Sequence, residues 1–126
     1  MKFIVDHLYI FLSIFFAVLS QLIIKWKMSV FDLSHISTMG EKFLFAASLL
    51  LNPYIMLSIF LTLLSGLSWM IAMTKFDLSY AYPFTALGYI LILVFSALLF
   101  HESLTISKLL GVLFIVTGIF VVSRGL

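Results

Sequence analysis

The sequence predicts an all-α integral membrane protein that forms one domain of four transmembrane helices. Of its 126 residues, 64% are hydrophobic and only 10% are charged, whereas ordinary soluble domains have about 45–50% apolar and about 25% charged residues. A small globular domain has too much surface for its volume to bury such an apolar excess. Lipid must therefore solvate much of the chain.

Four apolar blocks have the length of membrane-spanning helices. They lie at about 8–24, 54–74, 80–100 and 106–123, and the last includes Lys108, whose long side chain reaches the headgroups. A span needs roughly 17–25 residues because the hydrocarbon core is about 30 Å thick. We predict helices because lipid offers no partners to backbone groups and the blocks lack the alternation of barrel strands.

The connections between the blocks are unequal in length. The short turns 75–79 and 101–105 predict that the last three helices pack as consecutive antiparallel neighbours. Ser103 or Thr105 is suited to cap the fourth helix. The connection 25–53 is longer and mixes aromatic residues with lysines and serines. We expect it to be an interfacial segment in the headgroup region, not a soluble domain.

Composition argues against several kinds of site. The absence of cysteine excludes disulfides and thiol chemistry. Histidines and acidic residues are scattered without metal-ligand spacing, so we expect no metal and no cofactor. The net charge of +2 is not accompanied by a basic stripe, so no nucleic-acid partner is expected. No nucleophile–base pattern suggests an enzyme.

The positive charges do not decide the orientation in the membrane. The terminal side carries three lysines or arginines and the opposite side carries four. Two interpretations stay open. In the first, the chain inserts both ways round or is oriented by a partner. In the second, the small difference in positive charge is enough to orient it. The two sets are Lys2, Lys75 and Arg124 against Lys25, Lys27, Lys42 and Lys108.

The first helix carries a polar stripe at Ser13, Ala17, Gln21 and Lys25, which are spaced four apart and share a face. Gln21 is costly near the end of a span unless it meets another polar group. In one interpretation, Gln21 and Lys25 line an aqueous cavity where Lys25 attracts an anionic headgroup. In the other, Gln21 bonds a neighbouring helix and Lys25 is an interface anchor.

The third helix has Pro83 in its first turn, where a missing N–H is harmless. Tyr82, Thr85 and Tyr89 share one face of this helix. They are either interfacial belt residues or the hydroxyl groups of a wet groove that bonds a sugar or phosphate.

Small residues in the other spans predict close helix contacts. In the second helix Gly66 lies with Thr62, Ser65 and Trp69, for which we favour packing over ligand binding. In the fourth helix Gly111 and Gly118 are seven apart and indicate a helix or subunit contact. His101 and Glu102 lie in the turn before this helix, where we expect a structural role for both. Glu102 braces the turn or pairs with a lysine. The topology places Lys25 at the same membrane face as Glu102.

Several motifs resemble a known transporter family. They are LSYAYP (Leu78–Pro83), LFHESLT (Leu99–Thr105), GVLFIVTG (Gly111–Gly118) and Ser123-Arg124. Their order and spacing resemble the drug/metabolite transporter superfamily, and the four-helix size resembles its small multidrug resistance branch. Ser20-Gln21 followed by Lys25 is similar to the G-Q-x-x-x-K pattern of one sub-branch. That sub-branch comprises flippase subunits for aminoarabinose linked to undecaprenyl phosphate and flippases of other lipid-linked sugars.

Two residues depart from the family pattern. Drug-exporting members carry a glutamate eight residues before the lysine, where it binds protons and cations alternately; this chain has Ala17 there. That exchange mechanism therefore does not transfer to this chain. The sub-branch has glycine before its glutamine, where this chain has Ser20.

The resemblance implies a flippase for a polyprenyl-phosphate-linked sugar, or a similar anionic lipid, in the bacterial inner membrane. Gln21 and Lys25 would then meet the phosphate, while Tyr82, Thr85 and Tyr89 would bond the headgroup.

A dimer is implied because four helices rarely enclose a path alone. It would be an antiparallel homodimer or a heterodimer with a related small subunit, held by Gly111 and Gly118.

Two other hypotheses stay open. One is export of small cationic or neutral molecules, with Asp6 or Glu102 supplying the carboxylate at an interface. The other is a non-transporting subunit that scaffolds a membrane glycosyltransferase.

Overall fold

The computed structural model describes residues 2–31, 34 and 36–124, and within them the chain is helical almost throughout. Two short 3-10 turns interrupt the α-helices: Leu49–Leu51 precedes the second span, and Tyr82–Thr85 lies inside the third. The α-helices of the described residues are α1 (Lys2–Met28), α2 (Met39–Ser48), α3 (Pro53–Ala72), α4 (Leu78–Ala81), α5 (Ala86–Leu99) and α6 (Ile106–Arg124).

Four helical stretches of the described chain are long and apolar enough to cross a membrane, as predicted: Lys2–Met28, Pro53–Ala72, Leu78–Leu99 and Ile106–Arg124. The first is longer at both ends than the predicted span 8–24. Its last turn contains Lys25 and Lys27, whose charges complement the negative end of the helix dipole.

The connection 25–53 contains the end of α1 and the short helix α2. Thr38 begins α2 by accepting a hydrogen bond from the Glu41 N–H at 3.2 Å. None of the residues of α2 is buried, and Phe43 and Leu44 are exposed. This apolar exposure is what a helix in the headgroup region requires.

Two of the four spans, the second and the fourth, begin with a side-chain cap. Pro53 is in the first turn of α3, and Asn52 accepts a hydrogen bond from the Tyr54 N–H at 2.9 Å. At the fourth span, Thr105 accepts one from the Lys108 N–H at 3.2 Å. Of the two predicted caps, Thr105 is therefore the one that forms.

Helices α1 and α3 pack through buried hydroxyl groups. Ser65 donates to the Ser13 carbonyl at 2.7 Å, and their hydroxyls are 3.2 Å apart. Seven residues further along α1, Ser20 donates to the Ser58 carbonyl at 2.8 Å. The Ser20 hydroxyl is also 2.6 Å from the Thr62 hydroxyl. Small polar residues let helix backbones approach closely and bond each other inside a membrane.

An aromatic cluster holds the third span against the start of α1. His7 is buried there, and its Nδ1–H donates to the Phe3 carbonyl at 2.8 Å. In the neutral imidazole, Nε2 then accepts from the Tyr80 hydroxyl at 3.0 Å. The rings of Phe76 and Phe84 surround this pair. The contact fixes the segment that leads into Tyr82–Thr85.

The turn between α5 and α6 depends on one left-handed residue. His101 has a φ of 56°, and after it the Glu102 N–H bonds the Ser96 carbonyl at 3.3 Å. Left-handed backbone is uncommon for residues other than glycine. The turn brings Glu102 back toward α1.

Helix α6 contains no buried residue in the described chain. Its large side chains, including Phe114 and Phe120, are exposed. The rest of the described chain therefore leaves most of this helix uncovered.

We predict that Ser20→Ala lowers the free energy of unfolding by about 1 kcal/mol, the scale of hydrogen bonds between membrane helices. The loss arises because Ser20 bonds both Ser58 and Thr62. Reversible unfolding in mixed micelles measures it. Ser123→Ala is the matched control, because the Ser123 hydroxyl bonds only the Phe120 carbonyl of its own helix. Equal stability of the two variants would contradict the helix-joining role of Ser20.

Candidate functional site

One cavity, called the main groove, has a volume of about 500 Å³. It lies between α1, α3 and the beginning of the third span, and α6 does not line it. Four of the five predicted binding residues meet here, namely Gln21, Tyr82, Thr85 and Tyr89; the polar lining also includes Ser13, Thr62, Ser65 and Trp69.

Some of these polar groups already have partners within the protein. Ser13, Ser65 and Thr62 take part in the α1–α3 contact. The Thr85 hydroxyl donates to the Tyr82 carbonyl at 2.6 Å, the local bond of a helical turn. Thr85 thus satisfies its donor within the backbone and offers a ligand only an acceptor.

Four other groups are free for a ligand. Within the described residues, the side chains of Gln21, Trp69, Tyr82 and Tyr89 make no hydrogen bond to the protein. The rings of Trp69 and Tyr82 meet edge to face, with centroids 6.1 Å apart. Their amide, indole and phenol groups supply both donors and acceptors. The main groove therefore offers neutral hydrogen bonding beside aromatic surface.

Ala17 lines the main groove between Ser13 and Gln21. It is the position at which the drug-exporting members of the resembled branch carry a glutamate. Among the described residues that line the main groove, none is an aspartate, glutamate, histidine, lysine or arginine. A cationic ligand would find no carboxylate to pair with in this groove, as such a ligand requires away from water.

The fifth predicted binding residue, Lys25, lines a separate cavity of about 230 Å³, called the Lys25 cavity. The Lys25 ammonium is 3.8 Å from a carboxylate oxygen of Glu102, the pair that the helix topology allowed. The Lys25 and Glu102 side chains are 57% and 42% exposed. Exposed pairs contribute only about 0–1 kcal/mol, so this pair is easily opened.

Gln21 joins the two cavities, because it lines both of them. Ile92 of α5 is likewise shared. Ser96 also lines the Lys25 cavity. The main groove, whose lining is uncharged and mainly apolar, therefore lies next to a cavity that carries one cation and one anion.

The glycines differ in what surrounds them. Gly88 is buried, and a Cβ there would lie 3.5 Å from Ile14 and 3.6 Å from Val18. Gly88 thus marks where α5 touches α1. A Cβ at Gly66, Gly111 or Gly118 would meet nothing within 4 Å. Gly66 instead lines the main groove, and the expected subunit contact of Gly111 and Gly118 stays a prediction.

Two predicted structural residues lie outside both cavities. Pro83 is in the 3-10 turn that joins α4 to α5. His101 is the exposed left-handed residue of the α5–α6 turn. Each is adjacent in sequence to a residue that lines the site: Pro83 follows Tyr82, and His101 precedes Glu102.

Sequence patterns understated one residue and did not indicate another. The sequence favours a packing role for Trp69, yet this residue lines the main groove. The spacing of Trp69 and Ser65 on one face of the helix is the sequence feature that indicates it. Gly88 lies inside an apolar run that gives no hint of its partner helix.

In the part of the chain that the structure describes, no group of three or more His, Asp or Glu side chains is arranged to hold a metal ion. No protein-family model, curated protein or solved structure matches the chain.

We predict that water reaches the main groove. The chain has no cysteine, so a single introduced cysteine is the only thiol in the protein that the reagent can label. Ala17→Cys should react with a membrane-impermeant thiol reagent at least about tenfold faster than Val116→Cys, because thiolate forms only where water is present. Val116 lies on the exposed apolar surface of α6. Equal, slow labelling of both positions in vesicles would show a dry groove.

Proposed function

We propose that the protein is a flippase subunit that moves a lipid with a phosphate-linked sugar, or a similar anionic headgroup, across a membrane. The observation that carries the proposal is the junction at Gln21, where the neutral main groove meets the Lys25 cavity. Lipid-linked sugars combine the same two chemistries, since hydroxyl-rich rings are attached to a phosphate.

Lys25 is the group suited to the phosphate. A charge-assisted hydrogen bond from an ammonium to phosphate is about twice as strong as a neutral one. Glu102 competes for the same ammonium at 3.8 Å. Phosphate binding therefore separates Lys25 from Glu102. This separation costs little free energy, because an exposed ion pair contributes only weakly to stability.

The sugar fits the main groove. Gln21, Tyr82 and Tyr89 supply donors and acceptors that the protein does not use itself. Trp69 supplies a flat apolar face of the kind against which sugar rings pack. Because no acidic or basic side chain lines the groove among the described residues, the sugar can leave it without breaking an ion pair.

The open geometry supports a partner subunit. Three helices line the main groove, while α6 stands outside it with no buried residue in the described part of the chain. A second subunit of the same kind, or a related one, would complete the path. Antiparallel subunits would form the inverted repeat that alternating access commonly uses.

The two rival functions have less support. A cation exporter needs a carboxylate near its substrate, and Glu102 is the candidate; it lies beside Lys25, which repels cations. A non-transporting scaffold of a membrane glycosyltransferase would use the exposed face of α6, but it gives no role to the unpaired groups of the main groove.

We predict that Lys25→Ala lowers lipid translocation about 10- to 100-fold, the loss expected for one hydrogen bond between charged groups. The measurement is flipping of a fluorescent prenyl-phosphate sugar in vesicles that contain the purified protein, with its partner subunit if one co-purifies. Lys25→Arg keeps the charge and should retain most of the activity.

Lys27→Ala is the matched control. Lys27 lies two residues away, and its ammonium is 4.7 Å from the centre of the Tyr54 ring instead of beside Glu102. Normal flipping by Lys25→Ala would overturn the phosphate role of Lys25. Equal losses in both lysine variants would assign the effect to interface anchoring.

A further inference from the structure

A third cavity, called the apolar groove, lies between the end of α1 and the end of α5. It has a volume of about 500 Å³. Its lining residues carry no charge, and Trp26 supplies their one polar side-chain group; they are Leu19, Leu22, Ile23, Trp26, Leu99 and Phe100. The proposed function gives this cavity no role.

The apolar groove is adjacent to the Lys25 cavity. Leu22 lines both the apolar groove and the Lys25 cavity. Gln21 in turn joins the Lys25 cavity to the main groove. The three cavities are therefore neighbours in the order main groove, Lys25 cavity, apolar groove, and of the three only the Lys25 cavity is lined by charged side chains.

Helix geometry explains this order. Successive α-helical residues are rotated by about 100°, so Leu22 and Trp26 lie roughly on one side of α1 and Gln21 and Lys25 on a neighbouring side. Gly88 fixes α5 against α1 near Ile14. Beyond that contact, the ends of the two helices leave an unfilled space.

The mouth of the apolar groove lies at headgroup depth. Trp26 is half exposed, and its ring meets that of Tyr54 edge to face with centroids 5.1 Å apart. Lys27 lies over both rings. Tryptophan, tyrosine and lysine together are typical of a membrane interface. A chain that enters the groove would thus begin at headgroup depth.

We propose that the apolar groove binds the first part of the hydrocarbon chain of a lipid phosphate whose phosphate contacts Lys25. This inference rests on the proposed function and deepens it, since it gives the substrate three contacts in a fixed order: sugar, phosphate, chain. A hydrocarbon chain is the occupant because the side chains of the lining offer packing and almost no polar partner, and because the groove shares Leu22 with the cavity that Lys25 lines.

The apolar groove, as the binding site of the hydrocarbon chain, recognises that chain by its shape. Lipid tails are as apolar as leucine, so a chain gains no hydrophobic free energy when it leaves the bilayer for the groove. It gains close packing against fixed side chains. The site therefore orients the lipid phosphate at Lys25 and contributes little to overall membrane affinity.

The test is photo-crosslinking of the full chain in phosphatidylcholine vesicles. The probe is farnesyl phosphate with a diazirine on its hydrocarbon chain, and labelled peptides are mapped by mass spectrometry. We expect the label to concentrate on Leu19–Trp26 and on Leu99 and Phe100, and to be sparse on α6. Ile23→Trp should lower this labelling about fivefold or more, because a filled groove has no room for the chain.

Leu63→Trp is the matched control, because it adds the same bulk at an exposed position of α3. Leu19→Trp repeats the blocking test at a second lining residue. Label spread evenly over α6 and the apolar groove would overturn the chain site, even where flipping of the prenyl-phosphate sugar is normal. Label concentrated in the groove of a protein that does not flip the lipid would uphold the chain site and refute the flippase function.

Discussion

The hydroxyl bonds between α1 and α3 are the interaction on which the rest of the site depends. In lipid, apolar side chains gain no hydrophobic free energy when two helices associate, because the solvent is as apolar as they are. Ser13 with Ser65, and Ser20 with Ser58, supply directional bonds instead. Each pair involves a backbone carbonyl, so the two helices are fixed in rotation as well as in distance.

That fixed rotation decides what each side of α1 faces. With Ser13 and Ser20 turned toward α3, Gln21 points into the main groove and Lys25 toward the α5–α6 turn. A rotation of α1 by one residue, about 100°, would place Leu22 where Gln21 lies. The positions of the main groove, of Lys25 and of the apolar groove thus all follow from the contact between α1 and α3.

The sequence was sufficient for the parts of the fold that depend on length and hydropathy. The four spans follow from the bilayer thickness, and the cap at Thr105 follows from local backbone chemistry. The topology permits the Lys25–Glu102 pair, because the second and third spans return the chain to the membrane face at which α1 ends.

Contacts between distant residues were less predictable. Ser13 and Ser20 are seven apart on α1, and Ser58 and Ser65 are seven apart on α3. This matched spacing on antiparallel helices was a usable signal for the hydroxyl contact. In contrast, the His7–Tyr80 bond and the packing of Gly88 on α1 depend on helix crossings that periodicity alone does not specify.

Native mass spectrometry of the protein in mild detergent tests the central claim most directly, because it measures subunit number and retained lipid together. A lipid flippase of this design should appear as a dimer, of one chain or of two related chains, that carries a lipid with the mass of a polyprenyl phosphate. A lipid-free monomer, from preparations in which the fold is intact, would contradict both the dimer and the carrier.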